Sequence, residues 1–323
     1  MIRRNTVHEN IFMVVNYKKR RAFSKKPPNP LFPRILVAMR PWSFPAAVTP
    51  LFVSFTIMFK SSNLNIGQSL LFVVGILALQ ASANLLNSFC DYKNGLDKAD
   101  TSGDRTMVDS LVTKSEFPWL LTKLNLLWFI SFISTIPADE QTRFVYLVLY
   151  AIGVFLAVFY SAGSIPLKYV GLGDLSVFLA FGPVLVSAGA YCSAIEISRL
   201  DIEKILLVTT PAAILVVGIL HANNHRDLPV DEQNRAMTVS VRLGDHYSKL
   251  YYQFLVLSPI VMSLLAGYYL ERGAALGSLI LPLSVRLIRM IDDRDSIPRD
   301  IDAETAKIML IYGLLTSLGI AVL

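Results

Sequence analysis

The chain has 323 residues, of which 54% are hydrophobic and 17% charged, and its formal net charge is +6. This composition is too apolar for an ordinary soluble protein and is typical of a polytopic membrane protein. The positive residues lie between hydrophobic stretches instead of forming one basic face, which argues against a nucleic-acid-binding protein.

Residues 1–35 are predicted to form a basic arm, and residues 36–323 a single transmembrane domain. The apolar piece of the arm, IFMVV, is too short for the core of a signal peptide, and no small-residue cleavage site follows it. We therefore expect the arm to be cytosolic, with a transit peptide as the alternative.

Nine apolar stretches after the arm are each long enough to cross a bilayer as a helix. They lie at roughly residues 36–60, 67–90, 117–136, 144–162, 174–195, 205–222, 250–270, 273–291 and 306–323. The eighth is the weakest, because Pro282 interrupts it and arginines crowd its end. The pattern predicts an all-α polytopic membrane protein. An eight-helix alternative would move only the C-terminus to the other side.

Lysines and arginines are concentrated in the arm and in the loops after the second, fourth, sixth and eighth stretches. The opposite loops contain few. By the positive-inside rule, the N-terminus and the loops after the even-numbered stretches are cytosolic.

One short motif occurs twice, at the ends of the second and sixth stretches. The first copy is Asn87 and Asp91 in LLNSFCDYKNGLD, and the second is Asn223 and Asp227 in ILHANNHRDLPVD. Residues four apart lie on one face of a helix, so each pair points in a common direction. Because both stretches are even-numbered, both copies are expected on the same side of the membrane.

Each motif continues into a further carboxylate. Asp97 follows Gly95, where a break in the helix would let Asp97 turn back towards the first pair. Asp231 is eight residues after Asn223, but Pro229 precedes it, and a proline inside a helix removes a hydrogen bond. We therefore expect Asp231 on a bend or in the turn that follows.

Carboxylates gathered at a lipid boundary are costly and repel one another unless a cation neutralises them. Mg²⁺ suits this arrangement because it binds one or two carboxylates together with substrate phosphates. Arg105 follows the first motif, Arg226 lies within the second, and Lys168 lies in the loop after the fourth stretch on the same side; all three could bind the remaining oxygens of a diphosphate. The two motifs therefore predict a Mg²⁺-dependent diphosphate site.

Other polar residues in these regions are better explained by ordinary structure, and Tyr160 fits either an interfacial aromatic or a site residue. Those given a structural interpretation are the loop acids Asp100, Asp109 and Asp292 to Asp295, the packing cysteines Cys90 and Cys192, and a packed or capping His221.

Six stretches together resemble the UbiA superfamily of intramembrane aromatic prenyltransferases, and most closely its eukaryotic branch that makes menaquinone-4. They are RPWSFPAAVTP, NLLNSFCDYKNGLD, SGDRTMVDS, KYVGLGDL, HANNHRDLPVD and MTVSVRLG. The resemblance runs from about Leu36 to the end of the chain.

The resemblance implies a nine-helix fold with two Asp-rich motifs on the cytosolic side of a central cavity that opens sideways to lipid. The implied metal ligands are Asp91, Asp97, Asp227 and Asp231. The implied catalytic residues are Asp91, Asp227, Lys168 and Arg105. The implied substrate-binding residues are Asn87, Asn223, Asn224, Arg226, Tyr160, Asp104 and Arg40. The chain departs from the family pattern at Pro229 and at the glycine of SGDRT, which leaves Asp104 as the remaining acid there.

The function implied by the resemblance is Mg²⁺-dependent transfer of a geranylgeranyl group from its diphosphate to a naphthoquinol such as menadiol, giving menaquinone-4 (vitamin K2). Another aromatic acceptor, such as dihydroxynaphthoate, 4-hydroxybenzoate or a homogentisate-like ring, is the first alternative. A transporter is disfavoured because the charges sit at one face and not near the membrane centre. A non-catalytic interaction protein would not need to keep nearly every motif residue.

The resemblance also implies an integral protein of the endoplasmic reticulum or Golgi, with a mitochondrial membrane as the alternative. It further implies contact with the lipid bilayer and a sterol-pathway membrane protein as a partner.

Overall fold

The computed structural model of the chain describes residues 31–93, 106–163, 166–292 and 294–323. Across these ranges the chain is helical, and their one strand-like contact is an isolated bridge between Leu64 and Ala194. The all-α prediction is therefore confirmed. Three predicted site residues, Asp97, Asp104 and Arg105, lie outside the described residues, as do Gly95 and most of the arm.

The α-helices in the described ranges are numbered in chain order. They are α1 Leu31–Ala38, α2 Pro45–Lys60, α3 Ile66–Lys93, α4 Glu116–Ser134, α5 Glu140–Phe159, α6 Gly173–Leu179, α7 Leu185–Ser193, α8 Arg199–Gln233, α9 Val239–Tyr269, α10 Leu281–Asp292 and α11 Ile301–Val322. Shorter 3₁₀ segments lie at Pro41–Ser43, Leu167–Val170, Arg272–Ile280 and Arg294–Ser296, and a π-turn at Ala180–Val184 joins α6 to α7.

Within the described residues, eight helical segments are long and apolar enough to cross a membrane, and the bent pair α1–α2 makes a ninth if it is counted as one span. Each matches one predicted stretch. The eighth stretch does form such a segment, Arg272–Asp292, because Pro282 falls in the first turn of α10, where a proline is tolerated. The bend lies instead in the first stretch, where the chain turns by 55°.

Helix α8 carries the second motif and continues through Pro229. It runs without interruption to Gln233, so Asp231 lies on the helix and not in the turn that follows. A proline leaves the carbonyl four residues earlier without its helical partner. Here that carbonyl belongs to His225, and Arg294 Nη1 donates to it at 3.4 Å. The replacement donor helps the helix to continue.

Close helix packing in the second half of the domain depends on small residues. The 3₁₀ segment Arg272–Ile280 crosses α11 where Gly273 faces Gly319. A Cβ atom added to Gly273 would lie 2.1 Å from the Gly319 carbonyl carbon. Small residues let backbones approach in membrane helices, where packing replaces the hydrophobic effect. This crossing helps to hold α11 against α8 and α9, which form the core around Tyr252 and Tyr312.

Candidate active site

The first motif ends helix α3, and the turn Leu167–Val170 packs against it. Lys168 Nζ lies 2.6 and 2.7 Å from the two carboxylate oxygens of Asp91 and 2.5 Å from Asn87 Oδ1. Ser161 Oγ also donates to Asn87 Oδ1, at 2.6 Å, and the Tyr169 hydroxyl donates to Asp91. Asn87 and Asp91 therefore point together as predicted, and Lys168 compensates the charge of Asp91.

The second motif lies on α8, where Arg226 compensates the negative charge. Its guanidinium binds both oxygens of Asp227, at 2.7 and 2.6 Å, and Asn223 Oδ1 at 2.7 Å. It also reaches Asp302 at 3.3 Å and the Arg299 carbonyl at 2.7 Å. Asn223 and Asp227 share one face, as their spacing predicts, but Arg226 is held by protein acceptors, and no diphosphate is needed to explain its position.

The structure brings the two motifs together at one end of the bundle, which we call the motif face. Asp231 lies within electrostatic range of Asp227, Lys168 and Asp91. Thr238 Oγ1 lies 3.4 Å from Asp231 Oδ2. Residues about 140 positions apart in sequence thus face each other, which is the arrangement that the repeated spacing predicts.

Tyr160 occupies a half-buried position beside both motifs. It lies within electrostatic range of Asp91 and Asp231 and of Arg40. Burial, followed by the nearby carboxylates, raises the pKa of Tyr160 far above its ordinary value of 10.0, so its hydroxyl is protonated. This position favours the interpretation of Tyr160 as a site residue over that of an interfacial aromatic.

Two further predicted residues flank this region. Arg40 has a left-handed backbone (φ 56°), which is uncommon for a residue other than glycine, and it immediately precedes Pro41. Asn224 is half-buried on α8 next to Asn223. Strained backbone of this kind clusters at functional sites, so Arg40 remains a candidate.

Among the described residues, no three His, Cys, Asp or Glu side chains form a group that could hold a metal ion. Asp97, the predicted partner of Asp91 in metal binding, lies outside those residues. The described carboxylates of the two motifs are hard oxygen ligands, and Lys168 pairs with Asp91 and Arg226 with Asp227. Their chemistry fits Mg²⁺, because Mg²⁺ prefers oxygen ligands. A bound ion would neutralise these carboxylates in place of the side-chain cations.

Sequence reasoning missed several residues that contact the motifs. Tyr169 and Ser161 bind Asp91 and Asn87, and Asp302 binds Arg226. Tyr169 directly follows Lys168 in the stretch KYVGLGDL, so its position near the first motif could have been predicted from that of Lys168. Ser161 and Asp302 come from other elements, and nothing in their local sequence marks them.

An all-helical domain with membrane-crossing segments and facing acidic motifs at one end defines an intramembrane protein with a site for a cationic or metal-bound ligand. The chain belongs to the UbiA prenyltransferase family, whose model matches residues 47–311. The predicted family and the predicted class of enzyme, a prenyltransferase, are therefore confirmed.

Curated relatives with the same description come from several eukaryotes. UbiA prenyltransferase domain-containing protein 1 of Dictyostelium discoideum is 30% identical over 307 residues, covering 92% of this chain and 89% of the relative. The Xenopus tropicalis protein of that name is 32% identical over 292 residues, covering 88% and 81%. The human protein is 29% identical over 289 residues, covering 88% and 82%.

Solved structures of archaeal proteins share the fold. A UbiA homolog from Archaeoglobus fulgidus bound to GPP and Mg²⁺ matches with a TM-score of 0.60 and 15% identity, covering 90% of this chain and all of that one. An apo UbiA homolog from Aeropyrum pernix K1 matches with a TM-score of 0.63 and 13% identity, covering 89% and 98%. At these identities the likeness concerns the fold.

Proposed function

We propose that the chain transfers a geranylgeranyl group from its diphosphate to a naphthoquinol such as menadiol, in a Mg²⁺-dependent reaction that gives menaquinone-4. The observation that carries the proposal is the meeting of Asp91 and Asp231 around Lys168. The Archaeoglobus homolog bound to GPP and Mg²⁺ supports the type of donor and the metal. The choice of acceptor and of chain length rests on the resemblance of the motif stretches.

Asp91, Asp227 and Asp231 would hold Mg²⁺, with Asp97 as a further ligand from outside the described residues. The metal would neutralise the diphosphate as its bond to the prenyl carbon breaks. A diphosphate would compete with Asp91 for Lys168 and with Asp227 for Arg226. Both cations are already positioned beside the carboxylates, so little reorganisation is required for them to bind phosphate oxygens.

Two neutral groups complete this binding role. The Oδ1 atom of Asn87 is fixed by two donors, Ser161 and Lys168, so its amide N–H groups are oriented for an acceptor. The protonated hydroxyl of Tyr160 is a second donor close to Asp91. When the C–O bond breaks, the diphosphate keeps the electron pair and an allylic cation remains. A ring carbon of the quinol forms the new C–C bond, and the ring proton is then lost.

Purified protein in detergent tests the proposal. We expect geranylgeranylated menadiol, identified by mass, with Mg²⁺ and none after chelation. Asp91→Ala and Asp227→Ala should each lower the rate by about 10²-fold or more, because each removes electrostatic stabilisation of the diphosphate. Glu203→Gln is the matched control, since Glu203 is exposed and pairs only with Arg199 among the described contacts of its side chain. Full activity of both alanine variants would contradict the metal assignment.

A panel of substrates tests the acceptor and the chain length. Each acceptor is assayed with each prenyl diphosphate at about equal concentrations. The acceptors are menadiol, dihydroxynaphthoate, 4-hydroxybenzoate and homogentisate, and the diphosphates have 10, 15 and 20 carbons. The proposal predicts the highest kcat/KM for menadiol with the longest donor. A higher value for another acceptor would keep the reaction class and replace the substrate.

We propose further that the motif face is cytosolic, in the endoplasmic reticulum or Golgi or alternatively in a mitochondrial membrane, and that a sterol-pathway membrane protein is a partner. The lysine and arginine distribution supports the orientation. In a background without Cys90 and Cys192, Lys98→Cys and Glu232→Cys should react with an impermeant thiol reagent from the same side. Arg199→Cys should react from the other side. Labelling of residues 98 and 232 from opposite sides would overturn this topology.

A further inference from the structure

A cavity of about 260 Å³ lies between α6, α8 and α9, and no motif residue of the proposed diphosphate site lines it. Its walls include Phe178, Ile214, Tyr251 and Phe254, with Asp174 as the acidic residue. Phe254 is 58% exposed, on a domain whose outer surface is apolar. The cavity therefore opens towards the bilayer.

Asp174 gives this apolar cavity a buried carboxylate. Only 5% of the residue is exposed. Its Oδ2 atom lies 3.1 Å from His221 Nδ1, whereas its Oδ1 atom has no hydrogen-bond partner among the described residues. A buried polar atom without a partner is destabilising, and a carboxylate in a membrane domain is more so. Asp174 lines the cavity, so its carboxylate places hydrogen-bond-accepting capacity there that the described residues do not use in full.

A chain of hydrogen bonds behind Asp174 fixes its orientation. His221 Nε2 lies 2.9 Å from Ser248 Oγ, which lies 2.8 Å from His225 Nδ1. His221 Nε2 also lies 3.1 Å from the Ser248 carbonyl oxygen, so each His221 ring nitrogen has a partner and the ring is held in place. His221 and Ser248 are fully buried, so the carboxylate cannot readily turn to find another partner.

The cavity is separate from the diphosphate site because the residues involved lie on different faces of α8. His221 and His225 are one helical turn apart, and Asn223 is about 200° around the helix from His221. Asn223 bonds to Arg226 at the motif face, whereas His221 packs edge-on against Tyr251 of α9. Tyr160 lies within electrostatic range of both Asp174 and Asp91, so the two regions are neighbours.

We infer that this cavity binds a small aromatic ring that dissolves in the bilayer and carries a hydroxyl group, whose O–H donates to the Asp174 carboxylate. The rings of Phe178, Tyr251 and Phe254 offer stacking and edge contacts to such a ring. The volume is below the roughly 300–1,000 Å³ of sites for drug-sized ligands, which favours one or two fused rings over a long prenyl chain. A quinol acceptor has this chemistry, and naming it as the natural occupant rests on the proposed function.

Photolabelling of the full chain in lipid nanodiscs tests the inference. The probes are an aryl diazirine with a phenolic hydroxyl, its methyl ether, and a diazirine of similar size with a primary aliphatic alcohol. We expect the phenol to label peptides containing residues 173–179 and 250–257 at least about tenfold more than the ether, because the ether cannot donate to the carboxylate. Equal labelling by the aliphatic alcohol would reassign the site to hydroxylated lipids and overturn the aromatic specificity.

Variants of the cavity distinguish specific binding of the probe from its partition into lipid. Asp174→Asn should lower phenol labelling about tenfold. Phe254→Ala, which removes an exposed wall and leaves the buried chain intact, should lower it about threefold or more. Val261→Ala is the matched control, because Val261 is also 58% exposed on α9 and does not line the cavity. Equal labelling by phenol and ether, or unchanged labelling in Asp174→Asn and Phe254→Ala, would overturn the inference.

The labelling is measured without any diphosphate, so its outcome is independent of catalysis. A protein that prenylates menadiol but does not discriminate phenol from ether would overturn only the cavity. A protein that discriminates the two but forms no prenylated product would overturn the proposed function and leave the cavity.

Discussion

Lys168 is the residue on which the two motifs converge. Its ammonium group binds Asp91 directly and lies within electrostatic range of Asp231. In the proposed function the same group binds the diphosphate, and it would compete with a divalent cation for the oxygens of Asp91. One side chain would thus influence metal binding and substrate binding in opposite directions.

Lys168→Met separates these two effects. Loss of the ammonium group should weaken diphosphate binding and lower kcat/KM by about 10- to 100-fold, the value of a hydrogen bond to a charged group. It should also lower the Mg²⁺ concentration that gives half-maximal activity, because the carboxylate of Asp91 loses its competing cation. Steady-state kinetics at varied Mg²⁺ measure both. Lys123→Met is the control, since Lys123 lies over the Trp119 ring at 4.0 Å and is exposed. A raised Mg²⁺ requirement in Lys168→Met would contradict the competition.

At this scale, the sequence predicts the residues whose spacing repeats. The four-residue interval of Asn87 and Asp91 fixes a common face on any helix, and the structure has that face. The partners of these residues cannot be predicted from local spacing. Ser161 reaches Asn87 through a turn whose path is set by tertiary packing. Arg226 was predicted to bind substrate, and its bond to Asp302 depends on where α11 begins.

Among the elements, α8 illustrates a local rule overridden by a distant residue. Pro229 predicts a bend because it cannot donate to the His225 carbonyl. Arg294, which is 69 positions away from His225, donates to that carbonyl. No local pattern reveals such a donor. The bend between α1 and α2, in contrast, has a local signal in the sequence, because Pro41 and Pro45 lie at it.

The crossing of the Arg272–Ile280 segment with α11 predicts a sharp difference between two glycine substitutions. Gly273→Ala should destabilise the protein by about 1–3 kcal/mol or more, because its Cβ would overlap the backbone at Gly319. Gly218→Ala in α8 should be neutral or stabilise by up to about 1 kcal/mol, because its Cβ would meet nothing nearer than 3.8 Å and alanine favours helix. Thermal unfolding in detergent measures both variants, and equal stability would contradict the close approach.

For the whole molecule, hydrophobicity determines most of what the sequence predicts. Backbone groups in lipid must bond internally, so each long apolar stretch has to be a helix, and the described stretches are. The even-numbered positions of the two motif helices then place both motifs at one end. Hydrophobicity carries no information on how the opposite end is held together. There, Glu271 binds Lys60 at 2.7 Å and Lys204 at 2.8 Å, linking the ends of α2 and α9 to the start of α8.

Glu271 makes the stability of the whole bundle depend on pH. Burial would raise the pKa of this carboxyl, but hydrogen bonds from Lys204 and Lys60 outweigh it, so the pKa is lowered from its ordinary value of 4.5. A group with a lowered folded-state pKa stabilises the fold fully above its unfolded-state pKa. The stabilisation is lost as the pH falls through the folded-state value. The contribution is therefore complete at neutral pH and declines only below about pH 4.5.

Glu271→Gln tests this dependence. At pH 7 the variant should be less stable than the parent by about 1 kcal/mol, since both lysines are partly exposed and the pairs are screened. The gap between the two unfolding midpoints should narrow as the pH is lowered from 5 to about 3, because the parent then loses the charge that the variant never had. Glu203→Gln is the control at the same end of the bundle. Its pair with Arg199 is solvent-exposed, so it should change stability little at any pH. If the difference in unfolding midpoint between the parent and Glu271→Gln is constant across this range, Glu271 stabilises the helices through packing and not through its charge.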